Sequence, residues 1–168
     1  MMSKICQTSY SEKSFNNKYG VPISLFNINK EDKIGIFEVG MDKRGEIDFL
    51  TKKIMPNVGV ITNISYAHIK NFQNLKGIAH AKAEIINNIA QHGSIVLNAD
   101  DNFFKFFKSK SIKKNLRIIS FGIKKKSDVN LVNIKSGKFY SVIHIKNNEK
   151  KLKFIIKKQL ENYIYNIL

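Results

Sequence analysis

An α/β fold is predicted for this chain: a mostly parallel sheet flanked by helices, followed by a C-terminal antiparallel β meander. Three observations predict it. Between Ile34 and Phe121, short apolar runs of strand length alternate with segments whose apolar residues recur at helical spacing. After Lys126 the period falls to two in VNLVNI, FYSVIHI and KLKFIIK, with Ser136-Gly137-Lys138 and Asn147-Asn148 as turns between them. The length of 168 residues suits one domain with a real core, at roughly 150 residues per domain.

Taken in order, residues 1–17 carry little periodicity and read as a loop that leads into a helix start in KYGVPISLF. Pro22 suits a first helical turn, where a missing N–H costs nothing. Ile34 to Val39, IGIFEV, is an apolar run between Lys33 and Gly40, the pattern of a strand buried on both faces, with Glu38 near its carboxyl end. RGEIDFLTKKIMP places Ile47, Leu50 and Ile54 at helical spacing and closes at Pro56. Val58 to Thr62 reads as a second buried strand. From Leu75 a helix is expected to run to near His92-Gly93, its stripe formed by Leu75, Ile78, Ala79, Ile85, Ile86 and Ile89. Ser94 to Leu97 is a third strand, after which Asp100 or Asp101 can cap the helix NFFKFFK. Leu116 to Phe121 is a fourth. The expected division is an α/β part over 14–126, a meander over 127–158 and the start of a helix over 159–168.

The formal charge of +16 comes almost wholly from lysine, with Arg44 and Arg117 the only arginines. The lysines are spread through nearly every segment, whereas nucleic-acid binders more often concentrate arginine and aromatics on one face. No specific nucleic-acid partner is expected, although weak association with polyanions is. Cys6 is the only cysteine, which excludes a disulfide framework or a cysteine-built zinc site within one chain and suits a reducing compartment. No apolar run reaches the length of a signal peptide or of the roughly 18 residues of a membrane span, so a soluble cytoplasmic protein is expected.

Three residues stand out by position: Glu38 at a strand end, His68 in the loop after the next strand, and Lys82, which fills a gap in the apolar stripe of the helix that follows. All three come from the carboxyl edge of the predicted sheet, where ligands bind in open α/β folds. A carboxylate and a neutral imidazole can ligate a divalent cation. A lysine ammonium cannot, unless its amine reacts with carbon dioxide to give a carbamate with two oxygen donors. Plainer roles stand beside these: Glu38 as a solvated or capping residue, and Lys82 as a snorkelling side chain with its stem packed and its head in water. His80, His92 and His144 read as helix surface, turn and outer strand face. Phe103, Phe104, Phe106 and Phe107 read as packing.

The segments NNKYGVP, FEVGMDKRGEI, VGVITNISYAHIKNF, LKGIAHAKAEI and SIVLNADD, in this order and spacing, resemble the central ATPase domain of the Mur ligases, MurF type, over roughly residues 14 to 135. The resemblance implies ATP-dependent amide formation in peptidoglycan precursor synthesis. The peptide carboxylate of UDP-MurNAc-tripeptide is phosphorylated by ATP, and the amine of D-alanyl-D-alanine attacks the acyl phosphate. It implies that Glu38 and His68 bind Mg2+, and that Lys82 is carbamylated and helps to hold the metal near the phosphates. It places Asn16 and Asn17 on the side of the UDP-substrate, and Asn63, Asn98 and Asn166 at nucleotide-binding positions.

Complete members of the family carry an N-terminal UDP-binding domain, a G-x-x-G-K-S/T phosphate loop and a C-terminal domain, partners that this chain would need. No such loop occurs in the 168 residues, and Asn162 and Tyr163 stand where the family's H-N-x-x-N-x-L helix has His and Asn. An incomplete central domain is therefore expected, its sheet lacking a member and its isolated ligase activity small or nil. The related folylpolyglutamate synthase branch and a non-catalytic basic binding protein are the alternatives. The N-N-x-x-G-V-P and N-A-D-D segments favour the MurF type.

Overall fold

A computed structural model describes residues 2–66, 69–166 and 168, with the side chain of Ile69 excepted. The chain divides into two compact units, Met1–Asn57 with Ser65–Ala90, and Val58–Ile64 with Gln91–Leu168. The α/β class and the C-terminal meander are both present. The parallel strands, however, fall into a two-stranded and a six-stranded sheet instead of one.

In the first unit, β1 (Thr8–Tyr10) pairs in parallel with β2 (Ile34–Ile36). β1 lies in the stretch expected to be loop. The Ser9 hydroxyl donates to the Asp32 carboxylate, which also accepts the Asn29 N–H at 2.8 Å, so the turn before β2 is clamped onto β1. The Ser9 hydroxyl and the Asn29 N–H hold the Asp32 carboxyl below its usual range. The expected strand over Ile34 to Val39 stops at Ile36, and Ile36 is 47% exposed. Burial on both sides needs packing over each face of the sheet, and Gly35 and Ile36 of β2 are exposed.

α1 (Gly20–Phe26) starts as Pro22 suggests, with Val21 fully buried. α2 (Glu46–Ile54) carries Glu46 and Asp48 in its first turn and Lys52 and Lys53 in its last, the arrangement that its dipole favours. Ile47 and Leu50 are buried as their spacing predicts. The helix begins after Gly45, whose φ of +88° is open to glycine at little cost, and ends at Met55, also left-handed, before Pro56.

The expected helix from Leu75 is in fact two pieces, α3 (Leu75–Lys82) and α4 (Ile85–Asn88). Asn74 caps α3, accepting the Gly77 N–H at 2.9 Å. After Lys82 the ladder tightens to i→i−3 bonds, with the N–H groups of Glu84, Ile86 and Asn87 donating to the carbonyls of Ala81, Ala83 and Glu84 at 3.1 Å each. Ile78, Ala79, Ala81, Ala83, Ile86 and Ile89 form the buried side.

The second unit holds β3 (Val58–Ile61), β4 (Ser94–Asn98), β5 (Arg117–Gly122), β6 (Val129–Ser136), β7 (Tyr140–Asn147) and β8 (Lys150–Lys157) in that spatial order. β3 to β6 run parallel, and β6 to β8 are the antiparallel meander. β3 is an edge, not the fully buried strand expected: Val58 and Val60 are 54% and 53% exposed, while Ile61 is buried. α5 (Phe104–Lys113) crosses between β4 and β5 and buries Phe107. Ile143 and Ile145 of β7 pack with Ile164 of a terminal 3-10 segment, Lys158–Asn166. Among the described residues no helix is long and apolar enough to cross a membrane.

Candidate functional site

Glu38, in the extended loop that follows β2, meets Asn16 from the segment between β1 and α1. The Asn16 side-chain amide donates to Glu38 Oε1 at 3.0 Å, while the Asn16 carbonyl accepts the Gly40 N–H at 2.7 Å. Ser11 Oγ accepts the Glu38 N–H at 3.3 Å. Asn16 thus spans Glu38 and Gly40 and leaves the exposed carboxylate with Oε2 unengaged among the described residues. A β-carbon at Gly40 would lie 3.0–3.2 Å from the Asn16 amide group, so the position holds glycine because that side chain lies against it. The sequence reading assigned Asn16 to the substrate side, and here its amide is bonded to the carboxylate read as a metal ligand. Asn17 Oδ1 accepts the N–H groups of Tyr19 and Gly20 at 3.0 Å each and so brackets the start of α1.

Lys82 is the last residue of α3, half-buried between the fully buried Ala81 and Ala83. His68 lies outside the described residues. Two residues beyond Lys82, Glu84 reaches back to α2: its Oε1 accepts the Gly45 N–H at 2.8 Å and its Oε2 the Asp48 N–H at 3.2 Å. Asn88 adds a second hold, donating to the Asp48 side chain at 2.9 Å and its carbonyl at 3.2 Å. Lys52 and the Asn88 amide hold the Asp48 carboxyl below its usual range. Glu84 was legible only as one letter of A-K-A-E-I, because its partners lie 36 and 39 residues away.

Of the three asparagines placed at nucleotide positions, Asn63 is exposed beyond β3, and its Oδ1 lies 3.5 Å from the Thr62 hydroxyl. Asn98 is 9% exposed, and its Oδ1 accepts the Asp100 N–H at 2.9 Å, building the turn after β4. Asn166 is exposed at the end of the 3-10 segment. Neither aspartate is the helix cap expected from the sequence, since α5 has Phe103 at its N-cap and no side-chain cap bond. Asp101 supports the approach to α5, accepting the Phe103 N–H at 2.7 Å through Oδ1 and the Ile64 N–H at 2.7 Å through Oδ2.

Asp100 instead gathers the loop after β5, with N–H bonds from Ile123 at 2.6 Å, Lys124 at 3.0 Å and Lys125 at 2.8 Å, and the Tyr165 hydroxyl at 3.1 Å. Burial pushes the Asp100 carboxyl up, but these donors together outweigh it and hold it below the usual range. Burial and the Asp100 carboxylate push the Tyr165 phenol up.

Among the described residues no cluster of three or more His, Cys, Asp or Glu side chains is arranged for a metal. Glu38 fits a hard cation by its chemistry, an exposed carboxylate with one oxygen fixed by Asn16 and the other available.

The Mur ligase middle domain profile matches residues 1–168, the whole chain. The chain belongs to the Mur ligase family. A curated relative, UDP-N-acetylmuramoyl-tripeptide--D-alanyl-D-alanine ligase of Buchnera aphidicola subsp. Baizongia pistaciae, is 36% identical over 122 residues, which cover 73% of this chain and 26% of that protein. The crystal structure of MurF from Acinetobacter baumannii superposes with a TM-score of 0.87 at 26% identity, covering 99% of this chain and 37% of that one. FPGS of L. casei, the folylpolyglutamate synthase branch, shares the fold less closely, with a TM-score of 0.58 at 18% identity over 74% of this chain and 29% of that one. This Mur ligase chain therefore spans about a quarter to a third of the length of the relatives it matches.

Proposed function

We propose that this chain supplies the metal-facing part of a cytoplasmic, ATP-dependent ligase that joins D-alanyl-D-alanine to UDP-MurNAc-tripeptide in peptidoglycan precursor synthesis. The observation that carries the reading is Glu38, an exposed carboxylate with one oxygen held by Asn16, in the loop that follows a parallel strand of a Mur ligase domain. Glu38 and Lys82, with His68, would hold Mg2+. Bound there, Mg2+ would supply positive charge for the phosphates of ATP and of the activated carboxylate.

The chain's own residues do the positioning. Asn16 restricts Glu38 to one orientation, so less freedom is lost when a ligand engages the remaining oxygen. Lys82, as a carbamate, would offer oxygens in place of an ammonium. The ammonium first loses one proton, and the neutral amine nitrogen then bonds the carbon of CO2 and releases a second. Asn63, Asn98 and Asn166 would face the nucleotide and Asn17 the UDP-substrate. With no G-x-x-G-K-S/T segment in the 168 residues, the chain by itself is expected to show little ligation.

The test is a graft that puts this chain in place of the matching segment of the Buchnera relative, with D-alanyl-D-alanine-dependent ADP release as the readout. The graft is expected to turn over. Lys82→Ala should lower turnover by about a hundredfold or more, the scale seen when one transition-state contact is lost, with partial rescue by small carboxylic acids. Unchanged turnover in that variant would return Lys82 to a snorkelling side chain.

A further inference from the structure

We propose that Glu84 is a positioning residue for Lys82, acting as the N-terminal cap of α2 from across the first unit. Nothing in the sequence between Leu75 and Asn88 breaks a helix: Gly77 lies in the first turn of α3, there is no proline, and alanine is frequent. The ladder nevertheless tightens directly after Lys82, where Glu84 leaves the helix face to bond the Gly45 and Asp48 N–H groups. These are two of the donors that the start of α2 cannot satisfy within itself.

α2 has no cap of its own, since Gly45 has no side chain, and the neighbouring Glu46 carboxylate is already taken by the Asp42 and Lys43 N–H groups at 2.6 and 3.1 Å. Asn88 grips the same helix one turn further along. The backbone carrying Lys82 is therefore tied to α2 two residues and six residues downstream. The Glu38 loop is tied at its far end, because Gly45 closes the segment that runs from Glu38 through the buried Met41 into α2. Glu84 thus joins the end of the loop after Glu38 to the helix end bearing Lys82.

This inference rests on reading Lys82 as a functional side chain, but its test does not need ligase activity. In the 168-residue chain, Lys82 is labelled with acetic anhydride and its modification rate read by peptide mass spectrometry, with the exposed Lys76 of the same helix as internal reference. Hydrogen exchange at Gly45 and Asp48 reports on the cap. Glu84→Ala should speed exchange at both amides and labelling of Lys82 by about tenfold, the scale of a lost cap, and leave Lys76 unchanged. Glu84→Gln loses one of the two acceptor oxygens, so it should speed labelling of Lys82 and exchange at one of the two amides by less than alanine does, and that intermediate rise over wild type tests the proposal if the alanine protein does not fold.

Faster exchange at Gly45 and Asp48 with an unaltered Lys82 rate would overturn the proposal and leave Glu84 a cap only. So would a glutamine variant as fast as alanine at Lys82. A wild-type chain that takes up no CO2 at Lys82 would count against the carbamate reading alone, since the labelling rates would still decide the role of Glu84.

Discussion

Removing the Asp100 side chain should detach the loop after β5 from the turn after β4 within the second unit. Three successive N–H groups and the Tyr165 hydroxyl converge on this carboxylate. The cost is not their sum. Lys124 and Lys125 are exposed, so their N–H groups regain water, whereas the partly buried Ile123 N–H, at 2.6 Å, does not readily do so. A hydrogen bond to a charged group contributes about 1.5–3 kcal/mol. Asp100→Ala should therefore destabilise by about 2–3 kcal/mol, and Asp100→Asn by less, because its amide oxygen still accepts one N–H. Urea unfolding followed by tyrosine fluorescence, in a chain without tryptophan, measures both.

The pH dependence has a definite sign. The folded carboxyl lies below its ordinary 3.8, so its contribution is fully present above that value and is lost as pH falls through the folded pKa. Wild type and Asp100→Ala should converge in stability below about pH 3.8. A difference under about 0.5 kcal/mol at pH 7, or one that stays constant down to pH 3, would refute the reasoning.

Glu161 accepts the hydroxyls of Ser136 and Ser141, which hold its carboxyl below the ordinary 4.5. Glu161→Gln should lower the urea midpoint at neutral pH, with the difference shrinking as pH falls below 4.5. Phe107→Ala, at a position 2% exposed, should cost about 3–5 kcal/mol by the same denaturation assay. Gly45→Ala has open space around the new methyl but requires φ +88°, so a loss of about 1 kcal/mol is expected, from backbone conformation alone. Gly40→Ala displaces the Asn16 amide from Glu38 and should weaken Mn2+ binding, read by calorimetry, more than it lowers the unfolding midpoint.

What the sequence made legible follows from the range of the interactions involved. α2 was readable because Ile47, Leu50, the charge gradient and Pro56 all act within a few residues. The meander was readable because alternation and turn chemistry are local as well. β1 was not, since Thr8-Ser9-Tyr10 is too short for a period and depends on pairing with β2, 26 residues on. The burial expected of β2 and β3 was overestimated because an apolar run records tolerance of burial, while actual burial depends on what packs over each face of the sheet.

Single residues of the proposed site stood out in the sequence, but their bonds to one another did not. Glu38 and Lys82 stood out by position and stripe, whereas the Asn16–Glu38 bond spans 22 residues and the Glu84 cap 36 and 39. Asp100 was recognised as a possible cap because the local grammar of Asn-Ala-Asp-Asp allows it. Its actual partners, 23 to 25 residues later, are backbone N–H groups that carry no sequence signal.

At the centre stands the proposal that Lys82, as a carbamate, shares a metal with Glu38. Carbon-13 NMR of the chain equilibrated with labelled bicarbonate tests it most directly. One carbamate carbonyl signal is expected, which Mn2+ broadens and Lys82→Ala removes. No such signal, or one that survives in Lys82→Ala, would contradict it.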